Sequence, residues 1–272
     1  MILMQRVGNY VIRSVVKKRG ENMIAKFRTD RGKVREYNED NGGIFFNDYG
    51  ELCVVIADGM GGHNAGNVAS FMAIECIQKI WNETKAIETP IYAEQWVKKT
   101  IQKTNTYVYE HALQNEECKG MGTTIVMAIC TPDFVTMAHV GDSRLYLFEG
   151  KTLQLKTEDH SLVQELVKAK QISEKEAHSH PKKNILLRAV GTEPTVSIDI
   201  QTITWEIGHM LLLCSDGLSN KLSHDEMQSF ICSNRALNLD ELIDRFIQVA
   251  NEQGGEDNIT IALVKNTEKE RR

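Results

Sequence analysis

The feature that most restricts the fold is a short apolar run that stops abruptly at an aspartate, within LCVVIADGMGGHNAG at residues 52–66. Its β-branched residues Val54, Val55 and Ile56 are typical of a buried strand. Three glycines follow Asp58 within four positions, and glycine accepts backbone conformations that other residues resist. Apolar residues then recur at helical spacing. The stretch therefore predicts a strand, a tight turn that carries one carboxylate, and a helix.

The carboxylate of Asp58 has two interpretations. It could hold a hard cation at the mouth of the strand, or it could simply cap the next helix, which is the commoner role of such a residue. Similar aspartates recur beside glycine at the edges of other apolar strands: Asp142, Asp216 and Asp257. If the four carboxylates converge, their mutual repulsion implies a bound cation. Oxygen ligands favour Mg²⁺ or Mn²⁺ over zinc or copper.

An arginine and two acidic residues cluster ahead of the next predicted strand. Arg35, Glu39 and Asp40 lie within RGKVREYNED at residues 31–40. Arginine is a natural bidentate partner for phosphate, and the two carboxylates could hold a cation or its water ligands. The competing interpretation is a solvated charged loop, which is the commoner one when the segment is considered alone.

Apolar periodicity predicts further elements along the chain. Capping-box signatures at Ser173–Glu176 and Ser223–Glu226 indicate two helix starts. The other predicted elements are helix 90–117, strands 123–130 and 134–140, strands 198–205 and 209–214, helix 239–253 and strand 259–265. Helices and strands are thus mixed along the whole chain, which predicts a fold with both.

Charge and cysteine usage exclude several classes of protein. A net charge of −5 argues against binding to nucleic acid, for which a basic domain is expected. No run of about 18 apolar residues exists, so no membrane span is predicted. None of the six cysteines forms a CxxC pair, which argues against a zinc ribbon or redox motif. Buried free cysteines in a reducing compartment are the simplest account, and they predict a cytoplasmic protein.

Residues 1–22 differ from the rest because basic side chains outnumber acidic ones and apolar residues are scattered between them. The segment lacks the continuous apolar stretch of a secretory signal. A basic amphipathic appendage, a disordered tail and an early start codon before Met23 all fit, and we expect a disordered extension without assigned function. One domain is then predicted over residues 23–266, followed by a charged tail at 267–272.

Three histidines cluster in a segment of different character, residues 156–191. His160, His178 and His180 could be exposed side chains on a mobile insertion. A zinc site is the alternative, but no cysteine accompanies them and their spacing fits no zinc pattern.

Taken together, these motifs resemble those of the bacterial branch of the metal-dependent PPM/PP2C-type serine/threonine protein phosphatases. The matching pieces span Arg31 to Val264, in the order that the family has them. They are RGKVREYNED, VVIADGMGGHNAG, GMGTTIV, AHVGDSRLYLF, TEDHSLVQELV, HPKKNILLRAVG, LLLCSDGLSN and GGEDNITIALV. No Walker A loop, Cys-x5-Arg loop or GxSxG elbow accompanies them.

The resemblance implies an α+β fold, an α-β-β-α sandwich of two antiparallel sheets flanked by helices, with a flap at about 156–191. It also implies hydrolysis of phosphoserine and phosphothreonine in proteins by a water activated between two Mn²⁺ or Mg²⁺ ions. Asp58 would bridge the ions, the Gly59 carbonyl would bind one of them, and Asp216 and Asp257 would complete the other. Asp142 matches the ligand of a third ion. Glu39 and Asp40 would act mainly through water ligands, and Arg35 would bind the substrate phosphate.

The general acid that protonates the leaving group is a weaker part of the match. His63 is the candidate, although its offset from Asp58 differs from the eukaryotic DGH arrangement, in which Met60 takes that place. The flap histidines are alternatives. The N-terminal extension also lies outside the family pattern.

Three functions compete. The first is an active phosphatase acting on phospho-Ser/Thr proteins, with a Ser/Thr protein kinase as counterpart and the enzyme a monomer. The second is a pseudophosphatase that keeps the sandwich as a binding module, against which every expected carboxylate is present. The third is a metal hydrolase of small phosphoesters, which would need a closed pocket where protein substrates need an open cleft.

Overall fold

The computed structural model of the chain describes residues 5–7, 10–12, 23–62 and 65–267, and only the backbone for the first two ranges. The strands are β1 (Gln5–Val7), β2 (Tyr10–Ile12), β3 (Met23–Asp30), β4 (Asp40–Phe46), β5 (Leu52–Met60), β6 (Gly122–Thr123), β7 (Ile125–Cys130), β8 (Phe134–Val140), β9 (Arg144–Glu149), β10 (Thr152–Leu155), β11 (Asp199–Thr204), β12 (Met210–Cys214) and β13 (Ile259–Asn266). The helices are α1 (Ala65–Asn82), α2 (Pro90–Gln114), α3 (Leu162–Lys168), α4 (Glu174–His178), α5 (Asp216–Ser219), α6 (His224–Ser233) and α7 (Leu239–Glu252).

Two antiparallel sheets stack face to face. The first sheet has the order β10-β9-β12-β13-β3, and the second has the order β11-β8-β7-β5-β4, with β6 paired to β5. One apolar cluster fills the space between the sheets, a second lies between the second sheet and helices α1 and α2, and a third lies between the first sheet and helices α6 and α7. This is the predicted α-β-β-α sandwich, which is therefore confirmed.

Strand β5 shows why its sequence is apolar without interruption. Cys53 and Val55 pack beneath helices α1 and α2, whereas Val54 and Ile56 pack between the two sheets. Successive side chains of a strand point to opposite faces, and here both faces are buried. The sequence is apolar for as long as β5 is buried on both faces. It becomes polar at Asp58, where the strand reaches an edge of the core.

Most predicted boundaries agree with the structure to within a few residues. Helix α2 ends three residues before the predicted end, because Asn115 adopts an extended backbone conformation and a single 3-10 turn, Glu116–Cys118, follows. Both predicted capping boxes form, at Ser173 for α4 and at Ser223 for α6. The predicted strand 123–130 is divided into β6 and β7 at Thr124, a residue that lies next to the site described below.

The N-terminal extension is described only in two short pieces. Strands β1 and β2 pair with each other in antiparallel fashion. The other residues of 1–22 lie outside the described part of the chain, so the expected disorder of the extension stays a prediction. Among the described helices, none combines the length and apolar character needed to cross a membrane.

Candidate metal centre

Two aspartates face each other across neighbouring strands at one edge of the second sheet. Asp40 at the start of β4 pairs with Asp58 near the end of β5 in the antiparallel register. Thr124 holds the Asp58 backbone from the other side, accepting its N–H at 3.0 Å through Oγ1 and donating its own N–H to the Asp58 carbonyl at 2.8 Å. The register thus brings together two carboxylates from segments 18 residues apart.

The first sheet contributes two more aspartates at the same edge. Cys214 at the end of β12 pairs with Ile261 near the start of β13, so the residues after one strand lie beside those before the other. Asp216 begins α5, and Asp257 lies just before β13. Ser215 joins the sheets, because its Oγ donates to Oδ2 of Asp40 at 2.7 Å.

Asp142 completes the cluster from the turn after β8. The start of β7 pairs with the end of β8, which places this turn beside Thr124. Oγ1 of Thr124 lies 2.7 Å from Oγ of Ser143, so the Asp142 turn is tied to the Asp58 strand.

These residues surround a cavity of about 200 Å³. Of the predicted site residues, it is lined by Arg35, Glu39, Asp58, Gly59, Asp142, Asp216 and Asp257. Asp40 does not line the cavity but is buried behind it, next to Asp58. The structure therefore brings together every predicted metal ligand, although they come from five segments of the chain.

Burial and mutual repulsion raise the pKa values of four of the aspartates: Asp40, Asp58, Asp142 and Asp216. Burial, opposed in part by hydrogen bonds from Ser215 and Thr260, raises the pKa of Asp40 to about 7. Burial and the charge of Asp257 raise the pKa of Asp216 to about 6. The pKa values of Asp58 and Asp142 are raised well above the usual range by burial first and neighbouring aspartates second. The carboxyl groups of this cluster therefore need a nearby positive charge in order to ionise together.

A divalent cation fits this donor set. Oδ1 of Asp40 is buried and has no hydrogen-bond partner among the described residues, which is costly unless something else satisfies it. The other donors are carboxylates, which are the oxygen ligands that Mg²⁺ and Mn²⁺ prefer. Among the described residues that line the cavity, no cysteine or histidine offers the thiolate or imidazole that would favour zinc.

Arg35 and Glu39 frame the cavity. Nη2 of Arg35 donates to Oδ2 of Asp257 at 2.9 Å. Burial opposes the charge of Arg35, but the hydrogen bond and charge of Asp257 outweigh it and raise the pKa of the guanidinium. Burial raises the pKa of Glu39, although backbone hydrogen bonds from Gly66 and Asn67 at the start of α1 act against it.

Gly59 is required by a close backbone crossing. A Cβ added there would collide with the carbonyl oxygen of Gly66 and lie 2.7 Å from the carbonyl oxygen of Glu39. Neither backbone group can move without shifting Asp58 or α1. The glycine therefore lets the turn after β5 pass directly beneath the start of the helix.

We expect Gly59→Ala to lower the free energy of unfolding by about 1–3 kcal/mol, as overpacking usually does. The substitution should also weaken Mn²⁺ binding, because it displaces the Asp58 turn. Thermal unfolding and metal titration measure both effects. Gly62→Ala is the matched control, since a Cβ at Gly62 would meet no atom of the described residues within 4 Å. If the two variants have equal thermal stability and equal Mn²⁺ affinity, the close backbone contact at Gly59 does not require glycine.

The histidines have divergent positions. His63 lies outside the described residues, so its role as general acid stays a prediction. His178 is exposed and lines a second cavity of about 550 Å³, which shares Asp142, Asn184 and Asp216 with the first. His160 is buried and does not line the acidic cavity.

His160 instead joins a cluster with His139 and Asp199, whose donor atoms lie within 4.8 Å of one another. The backbone N–H of Gly141 donates to Nδ1 of His160, which leaves the proton of the neutral ring on Nε2. Burial, and then the charge of His139, lowers the pKa of His160 and favours this neutral form. The two rings are stacked 4.5 Å apart at 20°, so their nitrogens do not converge on one point. This geometry favours a hydrogen-bonded structural cluster over the zinc alternative.

Four residues around the cavity were not assigned roles from the sequence: Thr124, Asn184, Ser215 and Asn258. Thr124 and Asn258 line the cavity wall, and Asn184 reaches it from the flap. Ser215 and Asn258 each stand next to a predicted ligand in the sequence, which is the only local signal they carry. The residues that they hydrogen-bond are distant in sequence: Asp40 for Ser215 and Arg31 for Asn258.

The chain is similar to known proteins in both sequence and structure. The profile of the family described as protein phosphatase 2C matches residues 30–263. The serine/threonine phosphatase stp of Listeria monocytogenes serovar 1/2a is 48% identical over 243 residues, which cover 89% of this chain and 96% of that protein.

Two solved structures are informative. The serine/threonine phosphatase of S. agalactiae is 39% identical and superposes with a TM-score of 0.85, covering 90% of this chain and 100% of that one. The catalytic domain of the phosphatase PstP, solved in complex with two manganese ions, is 28% identical with a TM-score of 0.79, covering 90% of this chain and 99% of that one.

Proposed function

Because the chain belongs to the protein phosphatase 2C family, we propose that the acidic cavity is its active site. The protein is a serine/threonine protein phosphatase that requires a divalent metal. The observation that carries the proposal is the convergence of four half-buried aspartates on one cavity, with an arginine at its edge. A binding module without activity would have no need to keep this costly cluster.

The residues have distinct proposed roles toward two core ions, Mn²⁺ or Mg²⁺. Asp58 and the Gly59 carbonyl would hold the first ion, with Asp58 shared between the two. Asp216 and Asp257 would complete the second, and Asp142 would hold a third, weaker one. Glu39 and Asp40 would act mainly through water ligands. When bound, the ions supply Lewis acidity that activates water and offsets the charge on the phosphoryl oxygens.

The chain's own groups position the substrate and the ligands. The Arg35 guanidinium presents a fork of donors that matches two phosphoryl oxygens. Its hydrogen bond to Asp257 holds it at the cavity edge. Ser215 orients Asp40 through Oδ2 and leaves Oδ1 free for the metal or its water. We propose His63 as the proton donor to the leaving seryl or threonyl oxygen.

Protein substrates fit the surroundings of the cavity better than small phosphoesters. Pockets for small ligands usually enclose about 300–1,000 Å³, whereas the acidic cavity holds about 200 Å³. It continues into the second cavity of about 550 Å³ beneath the flap helices α3 and α4. The two together would accept a phosphorylated side chain and the peptide around it.

The function is tested by hydrolysis of a phosphothreonine peptide with Mn²⁺, with Mg²⁺ and with chelator. We expect turnover with either ion and none with chelator. A phosphotyrosine peptide and a small aryl phosphate serve as comparison substrates. No phosphothreonine turnover by the folded, metal-loaded protein would reject the proposal, and a preference for the aryl phosphate would favour the small-substrate alternative.

Arg35→Ala is expected to raise KM for the phosphothreonine peptide by roughly 10–100-fold, because a charge-assisted bidentate contact is worth about 1.5–3 kcal/mol. Arg35→Lys should recover only part of the loss, since lysine lacks the planar fork. Arg245→Ala is the control, because Arg245 lies on α7, does not line the acidic cavity and donates to the side chain of Gln248 on the same helix. An unchanged KM in Arg35→Ala would remove Arg35 from phosphate binding.

We further propose that the enzyme acts as a monomer in the cytoplasm, on proteins phosphorylated by a Ser/Thr protein kinase. All six cysteines are free, which supports a reducing compartment. The three apolar clusters span residues 23–264, which supports a single domain over 23–266.

A further inference from the structure

The loop that carries Arg35 has no regular secondary structure of its own. Residues 31–39 connect β3 to β4 without helix or strand hydrogen bonding. Within them, Arg35 and Glu39 face the acidic cavity. A substrate-binding arginine must be held in one geometry, because misplacement by about 1 Å can cost a hundredfold in rate. Something outside the loop must therefore fix it.

Asn258 makes that connection from the first residue after Asp257. Its Nδ2 donates to the carbonyl of Arg31 at 2.9 Å and to the carbonyl of Tyr37 at 3.0 Å. Its Oδ1 accepts the backbone N–H of Glu39 at 2.8 Å. One side chain thus ties both ends of the loop to the start of β13.

The amide is the group that this position needs. It supplies two donors and an acceptor at once, and all three are used here. Asn258 is 5% exposed, so water cannot readily replace a lost partner. Aspartate has the same shape but would present an acceptor to the two carbonyl oxygens. Leucine would leave all three backbone groups without a partner.

Other contacts hold the loop at single points. The Lys33 N–H donates to the Gly255 carbonyl at 2.7 Å, and Nδ2 of Asn38 donates to Oγ1 of Thr29 at 2.8 Å. Neither reaches Arg31, Tyr37 and Glu39 together. Among the described residues, Asn258 therefore has the widest reach across the loop.

We infer that Asn258 is a positioning residue, which acts on substrate phosphate by holding the 31–39 loop so that Arg35 stays at the cavity edge. The inference rests on the proposed role of Arg35 in phosphate binding. The Asn258 amide uses its hydrogen bonds on the loop backbone, so its proposed effect on the substrate is exerted through Arg35.

The test compares Asn258→Asp with the wild-type protein and with Arg35→Ala. Residues of this kind, one step removed from the site, usually contribute 10–100-fold to activity. We expect Asn258→Asp to lower kcat/KM for the phosphothreonine peptide by at least about tenfold, mainly through KM, and to weaken inhibition by inorganic phosphate. In the Arg35→Ala background the same substitution should change kcat/KM by less than about threefold, because coupled residues are not additive.

Asn234→Asp is the matched control. Its Nδ2 also donates to a backbone carbonyl, that of Phe230 at 2.8 Å, but far from the cavity. It should behave as wild type. If Asn258→Asp does not fold, Asn258→Ser, which keeps one donor and one acceptor, replaces it in the same measurements.

Hydrogen exchange in chelator gives a readout that is independent of activity. Amides in 31–39 should exchange faster in the Asn258 variant, while those of β12 and β13 stay protected. A wild-type KM for Asn258→Asp, or an equal loss with and without Arg35, would overturn the inference. An unchanged KM for Arg35→Ala would instead overturn the proposed role of Arg35, and the inference with it.

Discussion

Asp58→Asn is expected to reduce phosphothreonine-peptide hydrolysis by about 10³-fold or more at saturating Mn²⁺. Asp58 lines the cavity, pairs with Asp40 and is the residue proposed to be shared by both ions. Lewis-acid stabilisation of a phosphoryl transition state is worth several kcal/mol. Since about 1.4 kcal/mol corresponds to a tenfold change in rate, loss of the shared ligand should remove at least three orders of magnitude.

Asp133→Asn is the control for this prediction. Asp133 is exposed in the turn between β7 and β8, at the end of those strands opposite Asp142. Calorimetric Mn²⁺ titration of the same variants separates lost binding from lost chemistry. If the Asp58→Asn variant retains more than a tenth of wild-type turnover, Asp58 is not the ligand that both ions share.

The second large effect is a reversal of the usual pH dependence of stability when metal is removed. The pKa of Asp40 is raised to about 7 and that of Asp216 to about 6, whereas the unfolded chain has aspartate pKa values of about 3.9. Between those values the folded protein binds more protons than the unfolded chain. Its free energy of unfolding should therefore fall as the pH rises from about 4 to about 7 in chelator.

Two histidines act in the opposite direction. Burial lowers the pKa values of His139 and His160, so their contribution to stability rises with pH up to about 6.5. Neither histidine lines the acidic cavity. Asp58→Asn in chelator isolates the carboxylates, since it removes one buried charge from the cluster and should make the slope with pH shallower.

Added Mn²⁺ should raise the free energy of unfolding most strongly at neutral pH. The carboxyl groups are ionised there, so they repel one another without the ion and bind it without first losing a proton. At a hundredfold excess over Kd, the ion contributes about 2.7 kcal/mol per site, or a rise in Tm of roughly 5–10 °C for a domain of this size. Thermal scans at pH 5 and pH 7.5, with Mn²⁺ and with chelator, measure this. The same Tm shift at both pH values would contradict the ionisation argument.

Much of this protein can be predicted from local patterns. The uninterrupted apolar run of β5 and the capping boxes of α4 and α6 depend on neighbours within a few residues, so their outcome follows from steric and hydrogen-bonding rules alone. Glycine within two residues of each cavity aspartate likewise marks a turn. The joint order of these motifs then identifies the family, and with it the sandwich.

The helix end at Gln114 was less predictable. The apolar pattern continues to Ala112, and the residues that follow are polar enough to belong to either a helix or a loop. Asn115 decides the boundary by leaving the helical conformation and donating through Nδ2 to the His111 carbonyl. Such choices depend on small free-energy differences between nearby conformations.

The site itself combines both kinds of information. The local sequence predicts the carboxylates and their positions beside turns at strand ends, but it does not predict that they converge. Only the tertiary structure put Asp40 opposite Asp58, brought Ser215 within 2.7 Å of Asp40, and placed Asn258 against the loop of Arg35. These contacts join segments up to 227 residues apart. Their distances are set by strand register and by the stacking of two sheets, and neither leaves a periodic signal in the chain.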